Sequence, residues 1–532
     1  MHQTSWQYRM TIVLMILMAI PQWANAAVHC VTTQGSGCDT SVCAECFLNI
    51  QDGINAAASG DEVRVSAGTY SDLTTAQIDI GGTNYTFKQV ALIKDKNLTL
   101  RGGYAASDWS QSNPQAYPTV IDAKGYLAGG RGISVLGTGT QRVTIDGFTV
   151  QNGNYTGLGS PDSSHSAACV AAGGDCGGGI YVNLTQIKLR NSIVRNNIGS
   201  TTKNCIGGGI FLSYTPVGSE LDHVTIDGNQ CTTSALGSGG GLAVYGSSGL
   251  LSIANAVIQN NSSVTYGGGI YLLNPQKLVM ITDTLLANNA SDSGGGMQAY
   301  ISMPQSTGTA LTMDRVRFAG NTAQQGGAAM WLQTLAAPTS CRSQLDNLLF
   351  TQNQTLAPGP TGSVVTIQGV KDFNVLLRQV TAAGNTAGSF LYATPSFNLG
   401  PTVHVELQNT LIDTIPVAIY GARDGNAGVL RVDFSNTLVH NVPTLTQGHD
   451  GSGIILTGSN TITADPLLSA SYHLQNGSLA IDKGMVTNVA TDIDGDPRPA
   501  DAGYDIGADE YRFPWMLFIP VFLINRGQTS PN

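Results

Sequence analysis

Apolar residues recur at every second position along short stretches of the chain. Ile180 and Val182 share one face of an extended segment, as do Ile187 and Leu189. This period of two predicts short β-strands, and no helical period of 3.6 residues runs through the same region. Gly, Asn and Ser punctuate these stretches, so we expect each strand to end in a tight turn.

One block recurs about every 32 residues. Its closing asparagines stand 32 residues apart, except for one step of 28: Asn197, Asn229, Asn261, Asn289, Asn321, Asn353 and Asn385. Six residues before each asparagine is a polar position, occupied in order by Asn191, His223, Asn255, Asp283, Arg315, Asn347 and Gln379 and continued by Asn409 and Asn436. A glycine triplet followed by an apolar residue, such as Gly207–Ile210, lies between blocks.

A unit of this size cannot bury its apolar face alone, whereas stacked units can. Stacking pairs each coil in parallel with the next at about 4.8 Å and places equivalent residues above one another. The asparagines then form a ladder of side-chain amides, because an amide both donates and accepts hydrogen bonds and asparagine tolerates left-handed backbone. Glycine permits the sharp corner. We therefore predict an all-β parallel β-helix, or β-solenoid.

The chain is predicted to have five parts: a signal peptide (1–26), a Cys-rich N-terminal segment and cap (27–62), β-helix repeats (63–465), a C-terminal cap (466–511) and an apolar tail (512–532). Arg9, the apolar run Thr11–Ile20 and the small residues Ala24 and Ala26 are typical of a secretory signal peptide. The tail is too short to span a bilayer. It is either an attachment segment or a final apolar strand.

Helical spacing appears at one place in the mature chain. Ile50, Ile54 and Ala57 predict a short helix within residues 48–58 that closes the first coil. Solenoids need such caps, because the end coil would otherwise expose its core. Residues 153–176 interrupt the repeats and are interpreted as a loop, either an ordinary surface loop or part of a binding face.

The chain carries 25 Lys and Arg against 35 Asp and Glu, and charged residues make up 11% of it. Low charge suits stacked columns, since like charges would repel at the coil spacing. The acidic balance argues against nucleic-acid binding, and the hydrophobic share of 42% argues against disorder. We expect no membrane-spanning helix in the mature chain, and we expect a monomer.

All nine cysteines follow the predicted signal peptide, and export makes disulfides the default. The disulfide candidates are Cys30, Cys38, Cys43, Cys46, Cys169, Cys176, Cys205 and Cys231. We expect Cys169 and Cys176 to close the inserted loop, and the odd count to leave Cys341 as a thiol. The spacing of Cys43 and Cys46 also suits zinc, although an oxidising compartment favours a bridge.

Several motifs resemble known β-helix families. The Gly-Gly-x-Ile element together with Phe318–Asn321 and Phe350–Asn353 is similar to the repeat of polymorphic outer-membrane proteins. Ile145–Gly153 resembles coils of pectate-lyase-like right-handed β-helices. The resemblance implies a right-handed helix, in agreement with the general handedness of parallel crossovers.

Three further segments resemble the choice-of-anchor Q β-helix proteins. Leu100–Trp109 is similar to early coils of this exported group, and Asp492–Arg498 and Tyr504–Tyr511 resemble its C-terminal end. The resemblance implies a protein that is secreted or held on the surface of a bacterium. It implies no particular activity, because β-helices host many functions.

The C-terminal motif contains alternating carboxylates. Asp492, Asp494 and Asp496 surround a glycine and resemble half of a calcium loop, since calcium takes six to eight oxygen ligands. Loop position 12 is Gly503 instead of the expected glutamate. The alternative is a turn in which aspartate side chains accept backbone N–H groups. A structural calcium ion is the only cofactor that the sequence suggests.

Two pairs in the repeats are catalytic candidates. Asp283 and Arg315 fall on adjacent coils and can pair. By family analogy, lyases on β-helices use calcium held by acids together with an arginine or lysine base, but this column offers no second acid. Asp314 and Asp346 stand one repeat apart, where stacked carboxylates raise a pKa, bind a cation or hydrolyse a glycoside. The alternatives are ordinary turn substitutions and a solvated edge.

No nucleophile elbow, HExxH motif or phosphate loop is present in the sequence. We therefore predict an exported surface protein with a structural, adhesive or glycan-binding role, whose partner is an extracellular polysaccharide or the envelope surface. The alternative is a polysaccharide lyase or glycoside hydrolase. An autotransporter-like passenger is a third interpretation, which the short C-terminal tail disfavours.

Overall fold

The computed structural model describes residues 26–513, except 35–37, 81–82, 125–128, 159–173, 233–235, 276, 302–307, 335–340, 396–399, 424–427 and 449–452. The signal-peptide motifs other than Ala26 therefore lie outside the described residues. So do Cys169 and the tail from residue 514 onward.

Within the described residues the chain forms 41 strands and one helix. Twenty strands belong to the first sheet: Val28–Val31, Glu45–Phe47, Glu62–Ser66, Gly68–Tyr70, Leu98–Ala105, Asp108–Ser112, Thr119–Asp122, Arg142–Asp146, Phe148–Gln151, Gln186–Arg195, Ser219–Asp227, Leu251–Ala254, Val257–Gln259, Val279–Ala287, Thr309–Ala319, Cys341–Thr351, Phe373–Ala383, Thr402–Asp413, Val429–His440 and Ile454–Thr463.

Thirteen strands belong to the second sheet: Thr74–Ile80, Thr83–Lys94, Arg131–Leu136, Ile180–Asn183, Ile210–Ser213, Leu242–Tyr245, Ile270–Leu273, Met297–Ile301, Met330–Thr334, Ser363–Gly369, Ser389–Pro395, Val417–Gly421 and Thr444–Gly448. Eight short strands form two narrow sheets. These are Asp175–Cys176, Cys205–Ile206 and Gly237–Ser238 in one, and Gln230–Cys231, Ser262–Ser263, Ala290–Ser293, Thr322–Gly326 and Gln354–Thr355 in the other.

Successive coils pair in parallel, and equivalent repeat positions fall in register. One column of the first sheet runs from Ile226 through Ile258, Leu286 and Phe318 to Phe350, and every member is fully buried. Such columns from the two long sheets meet in one continuous apolar core. The structure therefore confirms the predicted parallel β-helix.

The asparagine ladder is present and buried. Asn261 Nδ2 donates to Asn289 Oδ1 over 3.0 Å and to the Ile226 carbonyl over 2.9 Å. Asn261 Oδ1 accepts from the backbone N–H and the Nδ2 of Asn229. The left-handed backbone lies one residue before the ladder, as at Asn260 (φ 55°), and not at the ladder asparagine itself. The amide is thus required for hydrogen bonding alone.

The glycine triplets lie where the backbones of neighbouring coils crowd together. Only the first glycine has a positive φ, as at Gly239 (65°). A Cβ on Gly240 would lie 2.3 Å from the Ser262 oxygen, and a Cβ on Gly241 would lie 2.7 Å from the Gly269 oxygen. The second and third glycines are therefore required for space.

The predicted capping helix is confirmed as α1 (Ile50–Ala56). Asn49 caps it by accepting a hydrogen bond from the Asp52 N–H over 2.8 Å. Ile50 and Ile54 are buried and close the first coil against Val31 and its neighbours in the core.

The structure also settles disulfide pairings that the sequence left open. Bridges join Cys30 to Cys43, Cys38 to Cys46 and Cys205 to Cys231. Cys176 is disulfide-bonded, and its predicted partner Cys169 lies outside the described residues. Cys341 carries a thiol and is buried.

After the last strand, residues 464–513 form an irregular segment that we call the strap. It turns back and lies along the side of the first sheet, where five solenoid side chains donate to its carbonyl oxygens: Asn436 to Lys483, Asn409 to Met485, Arg378 to Thr487, Asn347 to Thr491 and Arg317 to Ile493. The predicted C-terminal cap thus covers a flank of the stack.

The strap has a small core of its own. Leu474, Ala480 and Ile506 pack on the outward-facing Leu411 and Leu438 of the first sheet. Arg498 and Glu510 form an ion pair whose side chains are 0% and 1% exposed. Arg498 also donates to the carbonyl oxygens of residues 507 and 508, so the buried guanidinium is well supplied with acceptors.

Candidate functional site

A cavity lies on the first sheet, beside residues 112–118. It has a volume of about 740 Å³. Its floor spans three coils, because Thr149, Ile193 and Thr225 are register neighbours that all line it. A second cavity of about 310 Å³ shares Ser112, Pro114 and Asn191 with the first. Together the two cavities form one elongated depression in the surface, which we call the groove.

Residues 112–118 form the wall of the groove, and they follow a β-hairpin that packs against the N-terminal segment. Strand Asp108–Ser112 runs antiparallel to strand Leu98–Ala105. Trp109 is buried and stacks on Tyr104, with ring centroids 5.9 Å apart, and both pack against the Cys30–Cys43 bridge. Arg64 donates to the Trp109 carbonyl oxygen over 2.5 Å. Packing and a hydrogen bond to the N-terminal segment therefore hold the wall in place without a ligand.

One end of the groove is charged. Arg64, Arg101 and Asp146 line the smaller cavity. Arg101 bridges Glu62 and Asp146 over 3.1 and 3.2 Å, and its side chain remains 34% exposed. These groups are partly neutralised by one another but still offer hydrogen-bond donors and acceptors to a ligand.

At the other end, His223 lines the larger cavity. Its Nδ1 lies 2.9 Å from Asp222 Oδ1, and its side chain is 60% exposed. Partial burial opposes ionisation of Asp222, but hydrogen bonds from Asn255 and His223 hold the pKa of Asp222 below its usual value. An ionised Asp222 orients the imidazole and leaves Nε2 for a ligand.

The structure brings the four predicted catalytic candidates together beside the strap. Arg315 binds both carboxylate oxygens of Asp283, over 2.6 and 2.8 Å, and also contacts Asp314. Asp314 and Asp346 are direct register neighbours. Arg378 binds both oxygens of Asp346 over 2.7 Å. Each acid therefore already has an arginine partner.

A cavity of about 450 Å³ lies beside these acids and is closed on one side by residues 488–491 of the strap. Asp346 is 8% exposed. Burial, with the nearby carboxylates of Asp346 and Asp283, raises the pKa of Asp314 against the opposing effects of Asn347 and Arg315. The arrangement docks the strap, since Arg315 and Asn347 also bind Thr491.

The three calcium candidates have different hydrogen-bond and ion-pair partners. Asp492 Oδ1 accepts the backbone N–H groups of Asp494 and Asp496, and Asp492 Oδ2 accepts that of Glu510. Asp496 pairs with Arg512 over 3.1 Å. Asp494 contacts Arg317 and lies 2.6 Å from His473 Nε2. Calcium binding by these three residues stays a prediction.

The sequence did not point to the groove. His223 occupies a position in the polar column, but neither Asp222 nor the wall at 112–118 carries a recognisable motif. The signal that was available is the break in the repeat pattern between Leu100 and Thr119, where a hairpin leaves the stack.

The family model described as "Protein of unknown function (DUF1565)" matches residues 34–299, half of the chain. The chain belongs to the DUF1565 family. The match includes the Cys38–Cys46 disulfide, α1 and the whole groove. No curated protein sequence matches this DUF1565 chain significantly.

Three solved structures are similar to this DUF1565 chain. Pectate lyase Pel9A is 12% identical, with 92% of this chain and 97% of that chain covered and a TM-score of 0.37. The GH87 α-1,3-glucanase catalytic unit of Streptomyces thermodiastaticus is 12% identical, with coverage of 84% and 69% and a TM-score of 0.38. XylC in complex with xylose is 10% identical, with coverage of 90% and 98% and a TM-score of 0.40.

Among the described residues, no helix is long and apolar enough to cross a membrane.

Proposed function

We propose that this exported DUF1565 protein binds an extracellular polysaccharide in the groove and serves a structural or adhesive role at the bacterial surface. The observation that carries the proposal is the shape of the groove, in which two adjoining cavities of about 740 and 310 Å³ follow the coils beside a fixed wall. An elongated groove suits a chain-like ligand better than a compact one.

The chemistry of the lining supports a sugar ligand. Ser112, Asn113, Gln115 and Asn191 supply neutral hydrogen-bonding side chains, and sugar hydroxyls both donate and accept. Prolines of the wall and the 39% exposed Ile193 supply apolar surface for the C–H faces of a ring. Arg64 and Arg101 at the charged end add donors for an acidic sugar.

A second candidate function is cleavage of the same polysaccharide, and the His223–Asp222 pair favours it. An imidazole held at Nδ1 by an ionised carboxylate can act as a general base through Nε2, and this one lines the groove. The Asp314–Asp346 pair supports cleavage less, because both carboxylates are bound by arginines and residues 488–491 of the strap close one side of the cavity beside them.

The test is retention of the mature protein in gels that contain acidic or neutral polysaccharides, with sugar release measured in parallel. Ile193→Asp places a charge on the groove floor and should weaken binding at least about tenfold, because a carboxylate must then be desolvated against the ligand. Val217→Asp is the matched control, since Val217 is 66% exposed and lies outside the groove lining.

Retention by one polysaccharide class that Ile193→Asp abolishes and Val217→Asp preserves supports the proposal. Absence of retention by the whole panel, or equal retention by both variants, contradicts binding in the groove. Sugar release that His223→Ala eliminates would favour the enzymatic candidate, and release that survives this substitution would contradict a role for the pair.

A further inference from the structure

Within the described part of the chain, one group of side chains converges as metal ligands do. His473, Asp494 and Asp509 each present one ligand atom, and the three atoms lie within 4.8 Å of one another. His473 Nε2 lies 2.6 Å from Asp494 Oδ2. The residues come from three separate loops of the strap. They do not line the groove or the cavity beside Asp314 and Arg315.

The surroundings hold these ligands in fixed orientations. Ser471 Oγ lies 2.8 Å from His473 Nδ1, which leaves Nε2 directed at the carboxylates. Arg317 contacts Asp494 Oδ1 and leaves Oδ2 for the cluster. The Leu474 N–H donates to Asp509 Oδ2 over 2.7 Å. Partners of this kind orient the ligands in protein metal sites.

The cluster also concentrates negative charge at one position in the strap. Asp509 is 7% exposed. The carboxylates of Asp492 and Asp494 lie nearby. A divalent cation would offset the repulsion among these carboxylates, which water cannot screen fully at a buried position.

We propose that His473, Asp494 and Asp509 bind one divalent transition-metal ion, such as Zn²⁺ or Mn²⁺, which fastens the strap. One imidazole with two carboxylates suits these ions, whereas Ca²⁺ prefers oxygen ligands alone. The ion replaces the proton between His473 and Asp494 and joins three loops that contain no helix or strand. Metal binding then becomes part of the folding free energy of the strap.

The test is calorimetric titration of the chelator-treated mature protein with Zn²⁺, and separately with Mn²⁺ and Ca²⁺. One equivalent of Zn²⁺ or Mn²⁺ should bind, and His473→Ala should weaken that binding at least about tenfold. His440→Ala is the matched control, because His440 also pairs with an aspartate, Asp413, over 2.9 Å and lies outside the cluster.

Hydrogen exchange provides a second readout that does not depend on the calorimeter. Zn²⁺ should slow exchange across residues 466–511 in the unmodified protein and in His440→Ala, but not in His473→Ala. Exchange without metal should be similar in all three proteins, which shows that the strap of His473→Ala is still folded; His473→Gln replaces it if it is not.

Absence of Zn²⁺ and Mn²⁺ binding, or binding that His473→Ala leaves unchanged, overturns the proposal. Binding of Ca²⁺ that Asp494→Asn removes but His473→Ala does not also overturns it and assigns the carboxylates to a calcium loop instead. None of these results depends on polysaccharide binding in the groove.

Discussion

Asn409 and Met485 are 76 residues apart in sequence and exchange two hydrogen bonds. Asn409 Nδ2 donates to the Met485 carbonyl oxygen over 2.8 Å, and the Met485 N–H donates to Asn409 Oδ1 over 2.7 Å. The side-chain amide thus pairs with the strap as a backbone peptide group would in a sheet. Asn409 belongs to the polar column that precedes the ladder, and its φ of 55° turns it outward.

We predict that Asn409→Gly loosens the strap and leaves the solenoid intact. The substitution keeps the left-handed backbone accessible but removes both hydrogen bonds, at a cost of about 1–3 kcal/mol in local stability. Hydrogen exchange should speed up across residues 466–511 and stay unchanged in the ladder coils. Asn255→Gly is the control, since Asn255 occupies the same column but binds Asp222; equal loosening in both variants would contradict the prediction.

We predict that Asn261→Ala destabilises the solenoid by on the order of 3 kcal/mol. The change removes the Asn261 Oδ1 that accepts from the Asn229 backbone N–H and Nδ2, and it removes the Nδ2 donor to the Ile226 carbonyl, whereas Asn289 Oδ1 keeps the Asn261 backbone N–H. Each buried group left unsatisfied costs about 1–3 kcal/mol before relaxation. The urea midpoint of unfolding should fall. Gln259→Ala, a half-buried position on the same coil, should leave the midpoint nearly unchanged, and a similar fall for both would be evidence against the ladder's importance.

We predict that Gly269→Ala is strongly destabilising, whereas Gly448→Ala is close to neutral. A Cβ at Gly269 would lie 2.5 Å from the Gly296 oxygen, which neighbouring coils hold in place. A Cβ at Gly448 would meet only an Ile454 methyl group at 3.7 Å. Thermal unfolding of the two variants checks this, and a tolerated Gly269→Ala would show that the coils can separate locally.

We predict that the strap loses stability as the pH rises from 4 to 7. Burial, with the nearby Glu510 carboxylate, raises the pKa of Asp505 from 3.8 to about 7 against the opposing effect of Arg498. The folded strap therefore keeps a proton that the unfolded strap releases in this window. This group lowers the free energy of opening by about 1.4 kcal/mol per pH unit.

Hydrogen exchange of residues 466–511, corrected for intrinsic rates at each pH, measures this dependence. Asp505→Asn does not ionise and should reduce the slope by the amount that Asp505 contributes. The result that contradicts the prediction is an identical slope in the two proteins.

Much of the solenoid could be predicted from the spacing of a few residue types. The asparagines from Asn197 to Asn385 indicated a ladder, and Ile50, Ile54 and Ala57 indicated the capping helix; both are present. The pairing of Asp283 with Arg315 also followed from their positions on adjacent coils. The sequence period sets the register of a stacked repeat, because equivalent residues must lie above one another.

The repeat register does not predict the groove or the position of the strap. The groove depends on a hairpin that leaves the stack and packs Trp109 on Tyr104. The proposed metal ligands depend on the strap returning past coils that are far away in sequence, as in the contact of Arg317 with Asp494 across 177 residues. A carboxylate motif alone does not reveal whether its oxygens meet backbone N–H groups, arginines or a cation.

The sequence by itself thus determined the β-helix, its buried ladder and its N-terminal cap, because each depends on contacts repeated at one fixed period. Only the tertiary structure decided where the strap docks, which acids it lies beside and what forms the groove. Those features depend on single, non-repeating contacts between segments that are distant in sequence, such as Asn409 with Met485. Local residue patterns do not predict such contacts.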